Sequence, residues 1–483
     1  MKVLFFQLFF FSATLIGLGQ PMSFPKLPPD ELQQDFDVFK KVLLSTHPQP
    51  YRFLRPADFQ KLIEDKEQLL TDSLSQIDFF QLVSSVMSHI GEGHSNVGIS
   101  EKIIKGMEDY GRLLPMELHF SEGNAFISND ESSFQSALEG FQVLSINGMD
   151  ISSIIDQIDS ISCLGTAANR SMVYRKLSLM KNFPLAYFLF VDQSASYELV
   201  LKDRKGGIKT VEVAGNPIDF KVSFTQERNE VYPPFSLNID TTRSLAIIKI
   251  FSFAHWVVNL KFKDYLKFYK LAFEAIETEG IDYLVIDVRD NRGGHEYLGA
   301  QLLSYLMDEP FYLETSMLSR KIKFPLLDSL KIKYDGLRKK AYQKIDSGYL
   351  VKESIVLKEQ RPSKKYRFDG KAFFLMNGNC FSACNIFMAL ADFHELGTII
   401  GEESGGIYQD TDGYFRVDFN LPNSGLHITF PLWHIKTAVE REDYGRGVFP
   451  DIYLDPTIED VLGRKDPMIE KVYDLINNKP TDL

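Results

Sequence analysis

Cysteine is scarce in this chain: Cys163, Cys380 and Cys384 are the only three in 483 residues. A cross-linked scaffold is excluded, because a protein of this size held by disulfides needs a cysteine framework. No His or Cys cluster completes a metal-ligand set around Cys380 and Cys384, so both are expected to be buried free thiols. Basic residues are in the minority, with 53 Lys and Arg against 65 Asp and Glu and a formal net charge of -12. That balance argues against nucleic acid or an anionic membrane as the main partner. Internal repeats and low-complexity tracts are also missing, which excludes solenoid and array architectures.

The apolar run from Val3 to Leu18 is slightly short of the roughly 18 to 20 residues that span a bilayer. Lys2 precedes it, the small residues Gly17 and Gly19 close it, and a Pro-rich stretch from Pro21 to Pro29 follows in place of a stop-transfer flank. Residues 1–20 therefore read as a secretory signal peptide, and export to a periplasmic or extracellular location is expected. A membrane anchor formed by the uncleaved N-terminus is the alternative, so peripheral membrane proximity stays open. No lipobox-like cysteine lies near the cleavage point.

With 44% hydrophobic and 24% charged residues, the rest has an ordinary globular composition and is too long for one compact core. Residues 21–105 carry helix-period apolar positions, Phe36, Phe39, Val42 and Leu43 and then Phe79, Phe80, Leu82, Val83 and Val86, and form a helical domain. Two prolines in Thr46-His-Pro-Gln-Pro-Tyr51 break its helices. It closes on Gly91-Glu-Gly-His94-Ser, whose glycines put His94 on a turn. Residues 106–220 turn to short strands such as Tyr197-Glu-Leu-Val-Leu201. The Val143-Leu-Ser-Ile-Asn-Gly148 strand and turn, leading into Met149-Asp-Ile-Ser-Ser-Ile-Ile, resembles part of a PDZ domain, with 163–190 longer than that module allows. Residues 221–483 alternate buried strands and helices, an α/β pattern. Within them, 320–367 reads as a charged, mobile segment in which Tyr349-Leu-Val and Ile355-Val-Leu are candidate strands.

The chemistry concentrates at Lys371-Ala-Phe-Phe-Leu-Met-Asn-Gly-Asn-Cys-Phe-Ser-Ala-Cys. A buried strand ends at Met376, Asn377-Gly-Asn379 makes a tight loop, and a helix begins at Ser382. A serine there is either an N-cap or a nucleophile served by unpaired backbone N–H groups and the positive end of the helix dipole. Asp287-Val-Arg-Asp-Asn-Arg-Gly-Gly294, after another buried strand, has paired glycines that let backbone N–H groups approach a ligand.

Met in order, the His-Pro-x-x-Tyr break, the Gly-Glu-Gly-His turn, the PDZ-like stretch, the Asp-x-Arg-x-Asn-x-Gly-Gly loop, Ser382-Ala383 and Gly445-Arg-Gly-Val-Phe-Pro-Asp-Ile452 resemble the C-terminal processing, or tail-specific, serine proteases. The resemblance implies an α/β fold of crotonase-like (ClpP-like) core at 221–483, with the helical domain and the PDZ-like β-rich domain ahead of it. It makes Ser382 the nucleophile and gives the oxyanion donors to Gly293, Gly294 and Ala383. Many members carry a dyad lysine about 25 residues beyond the serine. That position here is Ile407, and no lysine occurs between Lys371 and Lys436. The branch resembling the tricorn core protease takes its base from an upstream histidine, which implies His94 here, with His427 and His434 in reserve. It takes its third member from a glutamate downstream of the serine, which points to Glu440, Glu442 or Asp443.

An exported serine endopeptidase acting on polypeptides without cofactor or metal is expected. Its rivals are a peptidase-like protein that binds peptides without cutting them and a small-ester hydrolase using the same serine.

Overall fold

The computed structural model describes residues 24–477 except 135, 167–168, 219–232 and 335–340. The expected signal peptide at 1–20 lies outside the described residues.

The N-terminal region is helical. Pro29–Thr46 and Pro56–Glu67 each start on proline, whose fixed φ suits the first helical turn. Gln76–Ser88 begins with a capping box in which Ser75 and Asp78 satisfy each other's backbone N–H groups. Leu32, Phe36, Phe39 and Leu43 lie on one face of the first helix and are fully buried. At roughly 1.5 to 3 kcal/mol per fully buried side chain, this face holds the helix to the rest of the molecule.

The next region is an antiparallel sheet with strands Met116–Ser121, Asn124–Asp130, Gln142–Ile146, Ser196–Lys202 and Ile208–Ala214, plus the short Met149–Asp150. Tyr197, Leu199 and Leu201 are buried while Ser196, Glu198 and Lys202 are exposed, the period-2 pattern of a sheet covered on one side. The long 163–190 stretch contributes the helices Arg170–Leu177 and Asn182–Phe190.

At the centre stands a mixed sheet. Phe235–Asp240 is antiparallel to Leu245–Ile250, and Tyr283–Asp287, Lys371–Met376, Thr398–Gly401 and Ile452–Tyr453 follow in parallel. Leu284 to Ile286 and Phe373 to Met376 are continuously buried, as strands covered on both faces must be. This is an α/β fold with a crotonase-like core and additional regions before it.

A third sheet gathers Tyr342–Ile345, Gly348–Val351, Glu314–Ser319, His427–Thr437 and Asp410–Asn420. The short N-terminal strand Asn96–Gly98 joins it by pairing with His427–Thr437. That pairing delivers the turn containing His94 to the C-terminal half. Within 320–367 the strands Tyr342–Ile345 and Gly348–Val351 join this sheet, so Tyr349-Leu-Val is in a strand, whereas Ile355–Leu357 is a single 3₁₀ turn.

Candidate functional site

Ser382 sits between Lys371–Met376 and the helix Ala383–Phe393 with φ 57° and ψ -126°. A residue with a Cβ pays to occupy that region, so its surroundings must hold it there. They do so by hydrogen bonds: Phe381 N–H donates to Asn291 O at 3.2 Å, and Cys384 N–H donates to Phe381 O at 3.1 Å. Gly405 N–H donates to Cys380 O at 2.8 Å. Cys380 and Cys384 are not free thiols; they form a disulfide that spans the serine, with Cα atoms 5.3 Å apart. Cys380 lies in the loop before the helix and Cys384 in its first turn, so the chain reversal at Ser382 brings the two side chains together. Ser382 makes no capping bond to the helix.

Its hydroxyl points instead to His94, with Oγ 3.1 Å from Nε2. The other ring nitrogen, Nδ1, is 2.6 Å from Glu92 Oε1, and Glu92 Oε2 accepts the His94 backbone N–H at 2.8 Å. An ionised carboxylate only accepts, so Nδ1 carries the proton, and Nε2 is left to accept from the serine hydroxyl. The Phe381 ring packs on the imidazole at 4.5 Å between centroids, and a Cβ on Gly93 would come within 2.9 Å of that ring. Gly91, at φ 62°, turns the chain so that Glu92 folds back on His94.

The carboxylate on the histidine is therefore Glu92 and not Glu440 or Glu442. Both of the latter are exposed, in the segment that leaves the third sheet after Thr437. Asp443 is taken by Arg441. His427 pairs with Asp418 on a solvent-facing hairpin. His434 is buried beside Asp412, whose carboxylate accepts from Arg52 Nη2.

The Gly293-Gly294 turn lies directly against the serine. A Cβ on Gly293 would stand 2.8 Å from Ala383 N and 2.6 Å from Phe381 O. Gly293 N–H donates to Asn291 Oδ1 at 2.9 Å, which shapes the loop. Gly294, at φ 140°, pairs with Phe253, and a Cβ there would overlap that residue's carbonyl carbon at 2.1 Å. Ala383 opens its helix, so its N–H is among the first-turn donors without an intrahelical acceptor. Asp287 and Arg289 brace the loop: Arg289 donates to Asp287 at 2.7 Å and 2.9 Å and reaches Asp466 at 2.7 Å. Arg175 beside Asp290 holds that carboxyl well below the usual range.

Behind the His94 turn, His47 Nδ1 accepts from Gln49 N–H, so Nε2 donates to Ser95 Oγ at 3.1 Å. Complete burial pushes His47 down to about 4 and keeps it neutral.

Ile407 is buried. Lys176, from a different region, comes to 6.0 Å from the Phe381 ring and donates to Leu164 O at 2.7 Å. Burial pulls its ammonium down to about 8. Among the described residues, no group of three or more His, Cys, Asp or Glu is arranged to hold a metal ion.

Three features escaped the reading of residues alone. Glu92 stood inside the Gly-Glu-Gly-His motif, and its two-residue offset on a glycine turn was the available signal. The disulfide could have been read from the four-residue spacing at a helix start. Lys176 carried no local signal, because contact with Phe381 spans over 200 positions.

Residues 244–454 match the model of Peptidase family S41. The solved structure of mature CPAF superposes with a TM-score of 0.62 at 14% identity, covering 94% of this chain and 99% of that one. CPAF complexed with lactacystin gives 0.62 at 16% identity, over 93% and 99%. The photosystem II D1 C-terminal processing protease is a looser likeness, with a TM-score of 0.42 at 12% identity over 93% and 98%. No curated protein sequence matches the chain. At such identities the structural likeness is one of fold.

Proposed function

We propose, from the premise that this chain is a C-terminal-processing serine peptidase with an S41 core, that it is an exported endopeptidase working through Ser382, His94 and Glu92. Ser382 Oγ attacks the scissile carbonyl carbon while His94 Nε2 takes its proton. Glu92, which accepts from Nδ1, fixes the tautomer and stabilises the imidazolium. The tetrahedral oxyanion is held by backbone N–H groups at Ala383 and Gly294, each worth on the order of 10²- to 10³-fold in rate. Collapse breaks the C–N bond, and His94 returns the proton to the leaving amine. Water, deprotonated by His94, then releases the acyl group from Ser382.

The observation that carries this reading is the unbroken line Glu92–His94–Ser382, ending on a serine whose backbone is held at positive φ. Export rests on the N-terminal sequence. A PDZ-like role for the antiparallel sheet at 116–214, capture of a polypeptide segment at a sheet edge, rests on the motif at Val143 to Gly148.

The test is a fluorophosphonate probe applied to the mature protein near pH 8, with the adduct located by peptide mass spectrometry. Labelling at Ser382 that falls on the order of 10²-fold or more in His94→Ala is expected. A folded wild type that takes no label would overturn the assignment in favour of a peptide-binding protein.

A further inference from the structure

Two glutamates beside the candidate triad take no part in it. Glu296 opens the helix Glu296–Leu303, two residues past the Gly293-Gly294 turn, and its carboxylate lies within electrostatic reach of the His94 imidazole. Glu314 opens the strand Glu314–Ser319, at a register slip against His427–Thr437. Glu314 is 1% exposed, and neither of its carboxylate oxygens has a hydrogen-bond partner. Each glutamate, with Tyr414, lies in the other's field. No lysine or arginine among the described residues acts on either carboxylate, and burial raises both, Glu296 to about 6.

The third wall is Tyr414. It stands in a bulge of Asp410–Asn420 at φ 58°, a conformation its neighbours must impose, and its hydroxyl donates to Glu296 Oε2 at 3.0 Å. Unlike the glutamates, it is 39% exposed. The arrangement is thus two buried carboxylates, one without any hydrogen-bond partner and the other bonded to a half-exposed hydroxyl and within electrostatic reach of His94.

Burying an unpartnered carboxylate opposes folding, and one left without a cation of the chain's own is held in its protonated form. Here the missing element is the cation. Two carboxylates are too few donors for a metal cage, but they match the diverging N–H groups of a guanidinium or the three of an ammonium.

We propose that Glu296, Glu314 and Tyr414 form a specificity subsite that takes the basic side chain of a substrate arginine or lysine next to the scissile bond. The side chain enters by displacing the Tyr414 hydroxyl from Glu296 and supplies the counter-charge that Glu314 lacks. The proposal rests on the protease reading above and adds its substrate class.

Two measurements test it. Wild-type digests of an unfolded protein are mapped by mass spectrometry, and the Ser382→Ala protein is titrated with fluorescent peptides that differ only by arginine or its neutral isostere citrulline. Cuts enriched about 10-fold at one position beside Arg or Lys are expected, with the arginine peptide binding about 10-fold more tightly. Glu314→Gln should remove both preferences while cuts at other positions persist. Glu296→Gln serves as the second variant if Glu314→Gln fails to fold. Cuts without basic enrichment, or equal binding of the two peptides, would overturn the subsite and leave the protease reading standing. No cleavage of any unfolded protein would overturn that reading, and the subsite with it.

Discussion

Glu92 holds His94 at two points, accepting the backbone N–H at 2.8 Å with one carboxylate oxygen and facing Nδ1 at 2.6 Å with the other. Backbone and ring are thereby fixed by a single buried side chain. The ring has no freedom to turn Nε2 away from Ser382 without breaking a charge-assisted bond.

Glu92→Gln should therefore lower kcat by about 10²- to 10⁴-fold, because an amide can present its N–H to Nδ1 and favour the wrong tautomer. Glu440→Gln and Glu442→Gln should stay within about 2-fold of wild type, as exposed charges away from such features do. Steady-state kinetics on the three variants discriminates the carboxylates, and loss of activity in Glu440→Gln with Glu92→Gln unaffected would reverse the assignment.

Gly293→Ala should cost about 10²-fold or more in kcat with the fold retained by circular dichroism. Its Cβ would press on Phe381 O at 2.6 Å and Ala383 N at 2.8 Å, at a φ of 91° that disfavours any side chain. The damage should appear in kcat more than in KM, since the affected N–H group serves the developing oxyanion.

Thiol counting checks the Cys380–Cys384 bond. Denatured, unreduced protein should alkylate once per chain, at Cys163, and three times after reduction. Closing so short a loop contributes about 2 kcal/mol by the chain-entropy relation. Cys380→Ala with Cys384→Ala should lower the denaturation midpoint and loosen the Ser382 turn, reducing probe labelling.

Glu402 introduces a pH dependence of stability. It is deeply buried, burial pushes its carboxyl up to about 7 against the opposing pull of Arg175, and Gly378 N–H donates to it at 3.2 Å. A raised acid binds its proton more tightly in the folded state. Its contribution is thus fully present below about pH 4.5 and lost as pH rises through about 7, by at most about 3 kcal/mol. Neutral, buried His47 acts in the opposite sense between about 4 and 6.5. The comparison should therefore be wild type against Glu402→Gln. Chemical denaturation at pH 5 and pH 8 should give a difference between the two that shifts towards the variant at pH 8; a constant difference would refute the account.

Local pattern carried much of this molecule. The buried runs before Asp287 and before Asn377 and the helix after Ser382 are each specified within a dozen residues, so strand, turn and helix were legible there. Ser382 was visible because its signal, an apolar strand breaking into a helix, is itself local. The resemblance pointed to the downstream acids and left Glu92 unconsidered; position in the chain says nothing about exposure, and Glu440 proves to face solvent.

Periodicity and turn chemistry are consequences of backbone geometry, and so the amino-acid order alone was enough to specify the α/β core, the strand-to-helix serine and the lack of a lysine at Ile407. Whether that serine meets a base depends on the pairing of Asn96–Gly98 with His427–Thr437, which carries His94 across 288 positions to Ser382. The same long-range packing sets Glu314 without a partner beside Glu296. These meetings are decided by sheet register and side-chain burial across the whole fold, which no local stretch of residues encodes.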